Sequence, residues 1–137
     1  SEACRPQGHV YHLKELYDAV NQQEFEGKVT AYITWGRWGT ARKKHGRSIR
    51  FGSYAAAQHL IRIHPVRDDV FVPLFFIRYI VFHEMLHAYM GVTVQENGRR
   101  SMHSPAFKKR EQAYAGFREA EEWLKSGDHL RRLLRRR

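Results

Sequence analysis

Apolar residues recur along this chain with two different periods, and the switches between them outline the fold. Over residues 10–25, Val10, Leu13, Tyr17 and Val20 fall at helical spacing, and Gly27 closes the segment. Residues 28–35 alternate instead, with Val29, Ala31, Ile33 and Trp35 set against Lys28, Thr30, Tyr32 and Thr34, as in a half-buried strand. Residues 48–54 and 59–64 have the same character, so a small antiparallel sheet of three strands is predicted. The longest helix is predicted over 73–90, started by Pro73, whose fixed φ suits a first turn, and ended by Gly91. On a helical wheel Leu74, Ile77, Val81, Met85 and Ala88 form one stripe, while His83 and His87 lie roughly opposite beside Phe76 and Ile80. A helix apolar nearly all round belongs between layers. Residues 105–125 read as helical, with Phe107, Ala113, Tyr114, Phe117 and Trp123 as candidate buried positions and Gly116 as a break point.

The candidate chemistry sits on that central helix, in the run His83-Glu84-Met85-Leu86-His87. Histidines four apart share a helix face with Cβ atoms about 5 to 6 Å apart, so both rings can reach one zinc ion. Glu84 follows the first ligand by about 100° of rotation, within reach of a zinc-bound water whose pKa the metal lowers toward about 7. Placing two histidines and a glutamate in an apolar helix requires compensation for their desolvation, and a metal supplies it for all three. Catalytic zinc takes a third protein ligand and keeps one position open. The spacing that would put this ligand six residues after His87 is excluded, because Met90 and Thr93 stand where a glycine and a third histidine would be. The best candidate is His103, just ahead of Ser104 and Pro105, which read as an N-cap and first helical residue. Glu111, Glu119, Glu121 and Glu122 on the following helix compete for the same role.

Composition then narrows the setting. In 137 residues with 42% hydrophobic content there is room for one modest core, so a single domain over 1–126 with a basic tail at 127–137 is predicted. Cys4 is the only cysteine, which excludes an intramolecular disulfide and a cysteine-type zinc site and suits a reducing cytoplasm. The longest apolar run, 70–82, carries Pro73 and Arg78 and is too short to span, so no membrane partner is expected. Formal charge is +10, which points to nucleic acid ahead of other acidic partners. Between the first two strands, Arg37, Trp38, Arg42, Lys43, Lys44 and Arg47 mix cations with an aromatic ring, as contact with phosphates and unpaired bases requires. Arg135, Arg136 and Arg137 end the chain and are candidates for the same contact. Asp68 and Asp69, after the last strand, read as local hydrogen-bonding residues rather than an acid/base pair.

The run His83-Glu84-Met85-Leu86-His87-Ala88-Tyr89, followed by His103, Pro105 and Phe107, resembles the SprT-like (Spartan-type) zinc metalloproteases. Upstream, Tyr17-Asp18-Ala19-Val20-Asn21, then Phe25, Gly27-Lys28-Val29 and Trp35-Gly36-Arg37 resemble that family's opening helix, first strand and basic turn. The likeness covers roughly residues 10–124 and departs at Ser104, where glycine is frequent. The resemblance implies an α+β, zincin-like minimal metalloprotease with His83, His87 and His103 as ligands of one Zn2+ and Glu84 as general base. It further implies an endopeptidase acting on proteins on DNA, including DNA–protein crosslinks; single-stranded or partly unpaired DNA is the expected partner, and the chain is expected to be a monomer. Two other classes use the same residues differently: a non-proteolytic zinc-stabilised DNA-binding module, and a zinc hydrolase of another acyl substrate.

Overall fold

Helix α2, Leu74–Met90, runs through the middle of the protein and buries residues on every side, among them Phe76, Ile77, Val81, Phe82, Met85 and Leu86. Pro73 precedes it with an extended backbone, and its carbonyl accepts from the amides of Phe76 and Ile77. Gly91, at φ +71°, lets the chain leave the last turn where a side chain would be strained. Leu74 stands exposed, so the inward stripe begins one turn later than the wheel suggests. The computed structural model describes residues 4–38, 52–91, 93–94, 100–101, 103–126 and 132.

Around α2 are α1 (Leu13–Phe25), a sheet of β1 (Tyr32–Trp35), β2 (Gly52–Ala55) and β3 (Leu60–Ile63), and the helices α3 (Pro105–Gln112) and α4 (Phe117–Lys125). This is the α+β arrangement expected. The sheet, however, is mixed rather than antiparallel, with order β1-β3-β2. A short turn, Ala56–Gln58, joins β2 to β3 and makes that pair antiparallel, with Ser53 opposite Arg62. The connection from β1 to β2 covers residues 36–51, long enough to carry the chain past β3, so β1 and β3 pair parallel with Ile33 opposite Ile61. Alternation within a strand specifies which face is buried but not which neighbour it pairs with. Residues 48–51 of the second expected strand lie outside the described residues.

Side chains that capture backbone groups explain the later starts of α1 and β1. The amides of His9, Val10 and Tyr11 donate to the carboxylate of Asp68 at 2.6, 2.8 and 3.0 Å, which holds this stretch out of the helix. Asp68 is therefore a fastener for the N-terminal segment, and Asp69 accepts from the Phe71 amide, so neither acts as an acid/base pair. Asn21 takes both backbone groups of Val29, and Tyr17 donates to the same carbonyl, so the ladder of β1 begins only at Tyr32.

Beyond α2 the chain makes a small antiparallel hairpin, β4 (Thr93–Val94) with β5 (Arg100–Ser101), which the sequence pattern was too short to reveal. Asn97 and Gly98, read as a turn, lie outside the described residues, as does most of the 127–137 tail. At Arg132 the tail is back against the body, its guanidinium 4.1 Å from the centre of the Phe71 ring. The helical stretch 105–125 divides at Gly116 as expected. Tyr114 stacks on Phe82 with centroids 4.2 Å apart, as a core tyrosine does. Among the described residues no helix is long and apolar enough to cross a membrane.

Asp68→Ala should lower stability by about 1–3 kcal/mol, because three amides lose a common charged acceptor. Thermal unfolding measures the loss, and amide exchange at residues 9–11 should rise while exchange in α2 stays protected.

Candidate metal centre

The i, i+4 spacing on α2 brings the Nε2 atoms of His83 and His87 to 3.2 Å. Two nitrogens bound to one tetrahedral zinc at about 2.0–2.1 Å stand about 3.3–3.4 Å apart, so these rings already have the geometry of adjacent ligands. His103 follows two residues after β5, between the hairpin and α3. One ligand atom from each of His83, His87 and His103 lies within 4.8 Å of the others, a group that could hold a metal ion. His103 is the exposed member and carries the slack in the triangle.

Local chemistry ahead of α3 explains why His103 arrives there. Ser104 caps the helix, its hydroxyl accepting from the Phe107 amide at 3.1 Å, and Pro105 occupies the first turn. The cap fixes Phe107, which is buried and stacks on His87 at 4.4 Å, with its ring edge-on to His83 and His103. Ser104, the departure from the SprT-like pattern, thus has a structural task of its own.

Electrostatics favour neutral rings at two of the three positions. Burial, with His83 and His103 alongside, pushes His87 down to about 4. Burial and the neighbouring His83 push His103 down as well. Both can offer a lone pair at neutral pH without first losing a proton. His83 differs: burial opposes its charge, but a hydrogen bond to Glu111 and the charge of Glu84 outweigh burial and raise it.

Glu111, a competitor for third ligand by sequence, is placed elsewhere. Its Oε2 lies 2.5 Å from His83 Nδ1, on the side of the ring away from the Nε2 that faces His87, and it also accepts from the Tyr79 hydroxyl at 2.6 Å. The three-histidine group is the only such cluster among the described residues, so Glu119, Glu121 and Glu122 form no part of one there.

Glu84 is buried on the same helix, and its carboxylate rests against β2. A Cβ on Gly52 would come within 2.9 Å of Glu84 Oε2 and 3.1 Å of its Cγ. Gly52 is not among the glycines with positive φ, so the close approach of Glu84, rather than backbone shape, requires it. Arg67, at 1% exposure, is the largest fully buried side chain among the described residues, with its guanidinium 4.5 Å from the centre of the Phe76 ring. Burial pushes the Arg67 cation toward neutrality, and the charge of Glu84 opposes that loss. Sequence reasoning missed Arg67, Gly52, Tyr79 and the role of Glu111. A glycine inside a strand was a signal for close approach, and Tyr79 lies one helical turn before His83; no pattern marked Arg67 or where Glu111 would point.

Of the candidate nucleic-acid residues, Arg37 and Trp38 stand just past β1, where Trp38, 46% exposed, meets the buried His64 edge-on at 5.2 Å. Arg42, Lys43, Lys44, Arg47, Arg135, Arg136 and Arg137 lie outside the described residues.

One equivalent of zinc should raise the melting temperature, by the equivalent of about 2.7 kcal/mol at a hundredfold excess over Kd. His103→Ala should remove most of that rise while leaving the metal-free melting temperature close to wild type, since His103 is exposed. An unchanged metal response in His103→Ala would take it out of the ligand set.

No protein-family model matches the chain, and neither does any curated protein or solved structure with which it was compared.

Proposed function

We propose that the protein is a zinc-dependent endopeptidase that acts on proteins associated with DNA. The observation that carries the peptidase reading is the buried Glu84 beside three convergent histidines, with its carboxylate against an edge strand. His83, His87 and His103 hold the ion, which when bound supplies Lewis acidity to a water and to the substrate carbonyl. Glu84 takes the proton of the attacking water and returns it to the leaving amine. Among the described strands β2 lies at the sheet edge and touches Glu84 through Gly52, so it is the strand along which an extended substrate pairs. Main-chain pairing of that kind binds polypeptide with little regard to sequence. A zinc-stabilised DNA-binding module would have no use for a carboxylate buried at this position. A hydrolase of another acyl substrate keeps the whole site, and a panel of ester and amide substrates separates it from a peptidase.

The DNA part of the proposal is supported by the charge of +10 and by cations at the end of the sheet near an exposed aromatic ring. The Arg5 amide donates to the Thr34 hydroxyl at 2.7 Å, and its guanidinium reaches the Trp35 carbonyl at the end of β1. Arg37 and Trp38 follow just past the end of that strand. Trp38 offers a ring for base stacking, and the arginines offer donors to phosphate.

Glu84→Gln should keep its metal and its fold but lose about 10²- to 10⁴-fold in cleavage of an unstructured basic protein, measured with and without single-stranded DNA. Near-normal turnover in the metal-loaded variant would remove Glu84 from the role of base. Gly52→Ala should likewise retain metal and cut turnover, by about 10²-fold for a displacement near 1 Å, because the new methyl group pushes the Glu84 carboxylate aside. On single-stranded DNA, neutralising Arg42, Lys43 and Lys44 together should flatten the log-log salt dependence of binding by about 2. Trp38→Ala should weaken binding by about 1–3 kcal/mol with little change in that slope, since stacking releases no counterion.

A further inference from the structure

The ring of a histidine ligand is useful only when one particular nitrogen faces the ion, and the two ligands on α2 reach that state by different means. His87 is oriented by packing, stacked at 23° on Phe107, and its buried Nδ1 has no hydrogen-bond partner among the described residues. His83 has no such stacked partner in Phe107, whose ring meets it edge-on. It is held through Nδ1 by Glu111, at 2.5 Å.

We propose that Glu111 and Tyr79 are the positioning residues of the metal centre: Glu111, itself held by Tyr79, fixes the His83 ring through Nδ1 so that Nε2 faces the ion. The proposal rests on the metal-binding half of the function given above and is independent of the peptidase half. An imidazole that donates from Nδ1 carries its lone pair on Nε2, so the hydrogen bond selects the tautomer as well as the ring plane. Geometry supports each link. Tyr79 and His83 are successive turns of one face of α2, and Glu111 reaches both from α3 with a single oxygen, Oε2, at 2.6 and 2.5 Å. The carboxylate side chain is 13% exposed, so water competes little for that oxygen. A carboxylate also strengthens the donor capacity of the ring it accepts from, which raises metal affinity rather than merely aligning the ligand. Tyr79 restrains Glu111, because its hydroxyl donates to the same oxygen that meets His83. Glu111 is therefore neither a third ligand nor a surface glutamate.

The test uses the full chain and zinc itself. Zinc affinity is measured by competition with a chromophoric chelator for wild type, Glu111→Ala, Glu111→Gln and Tyr79→Phe, alongside the melting temperature of each metal-free protein. Long-range proton–nitrogen spectra report the tautomer of each histidine ring. Glu111→Ala should weaken zinc binding by about 10- to 100-fold, Glu111→Gln by less because its amide oxygen still accepts from Nδ1, and Tyr79→Phe least. In Glu111→Ala the His83 ring should lose its single tautomer, while the signals of His87 and His103 stay as in wild type. A purely structural role would instead lower the metal-free melting temperature and disturb all three rings together, and that result overturns the proposal. Should Glu111→Ala fail to fold, Glu111→Gln, nearly the same shape, decides: its loss of the carboxylate charge should still weaken zinc binding, and an affinity equal to wild type in that variant overturns the proposal as well. None of these readouts uses hydrolysis. A wild-type chain that binds zinc but cleaves no peptide removes the peptidase reading alone, whereas unchanged affinity in the Glu111 variants removes this proposal alone.

Discussion

Two imidazole nitrogens facing each other at 3.2 Å inside a protein cannot both present bare lone pairs: a proton on one of them or a metal ion between them must satisfy the pair. The surrounding structure is arranged about that constraint. Burial drives His87 down to about 4 and so resists the proton, while Glu111 secures the opposite side of the His83 ring. Phe107 packs against all three rings, and the cap at Ser104 keeps Phe107 in place. A metal is the occupant these features favour, because it satisfies both Nε2 lone pairs without charging either ring.

The rest of the fold supplies position. Helix α2 could not carry His83, Glu84 and His87 at fixed angles unless it were clamped on several sides, and α1, the sheet, α3 and α4 all pack against it. The mixed sheet matters here for one reason: it puts β2, with its bare backbone at Gly52, at an edge and against Glu84. Arg67, fully buried, is near enough to the same carboxylate for the two charges to attract. A glutamate so enclosed has few rotamers left, which suits a group that must act on one fixed point.

Local signals made part of this legible in the sequence. Histidines four apart on a helix share a face whatever surrounds them, and Ser104 with Pro105 announces a helix start wherever it occurs, so the grouping of the three histidines followed from spacing and capping. Gly116 divided the last helical stretch for the same kind of reason. What escaped depends on contacts between distant residues. The parallel pairing of β1 with β3 is set by the path of the chain across the sheet, and nothing within either strand encodes it. Glu111 was visible as a glutamate near the site, yet only the packing of α3 on α2 decides whether its oxygen meets the ion or the far side of a ligand ring. Arg67 reads as an ordinary surface cation until the buried Glu84 is seen beside it. Asp68 was expected to bond locally, and it instead reaches amides nearly sixty positions away.

The central claim is that His83, His87 and His103 form one metal centre whose ligand set excludes Glu111. X-ray absorption at the zinc edge on protein loaded with one equivalent tests it without any assay of function. The account predicts three imidazole nitrogens at about 2.0–2.1 Å and one further light atom, with the outer-shell scattering of three histidine rings. A first shell with two imidazoles and a protein carboxylate, or zinc that stays fully hydrated in solution, would contradict it.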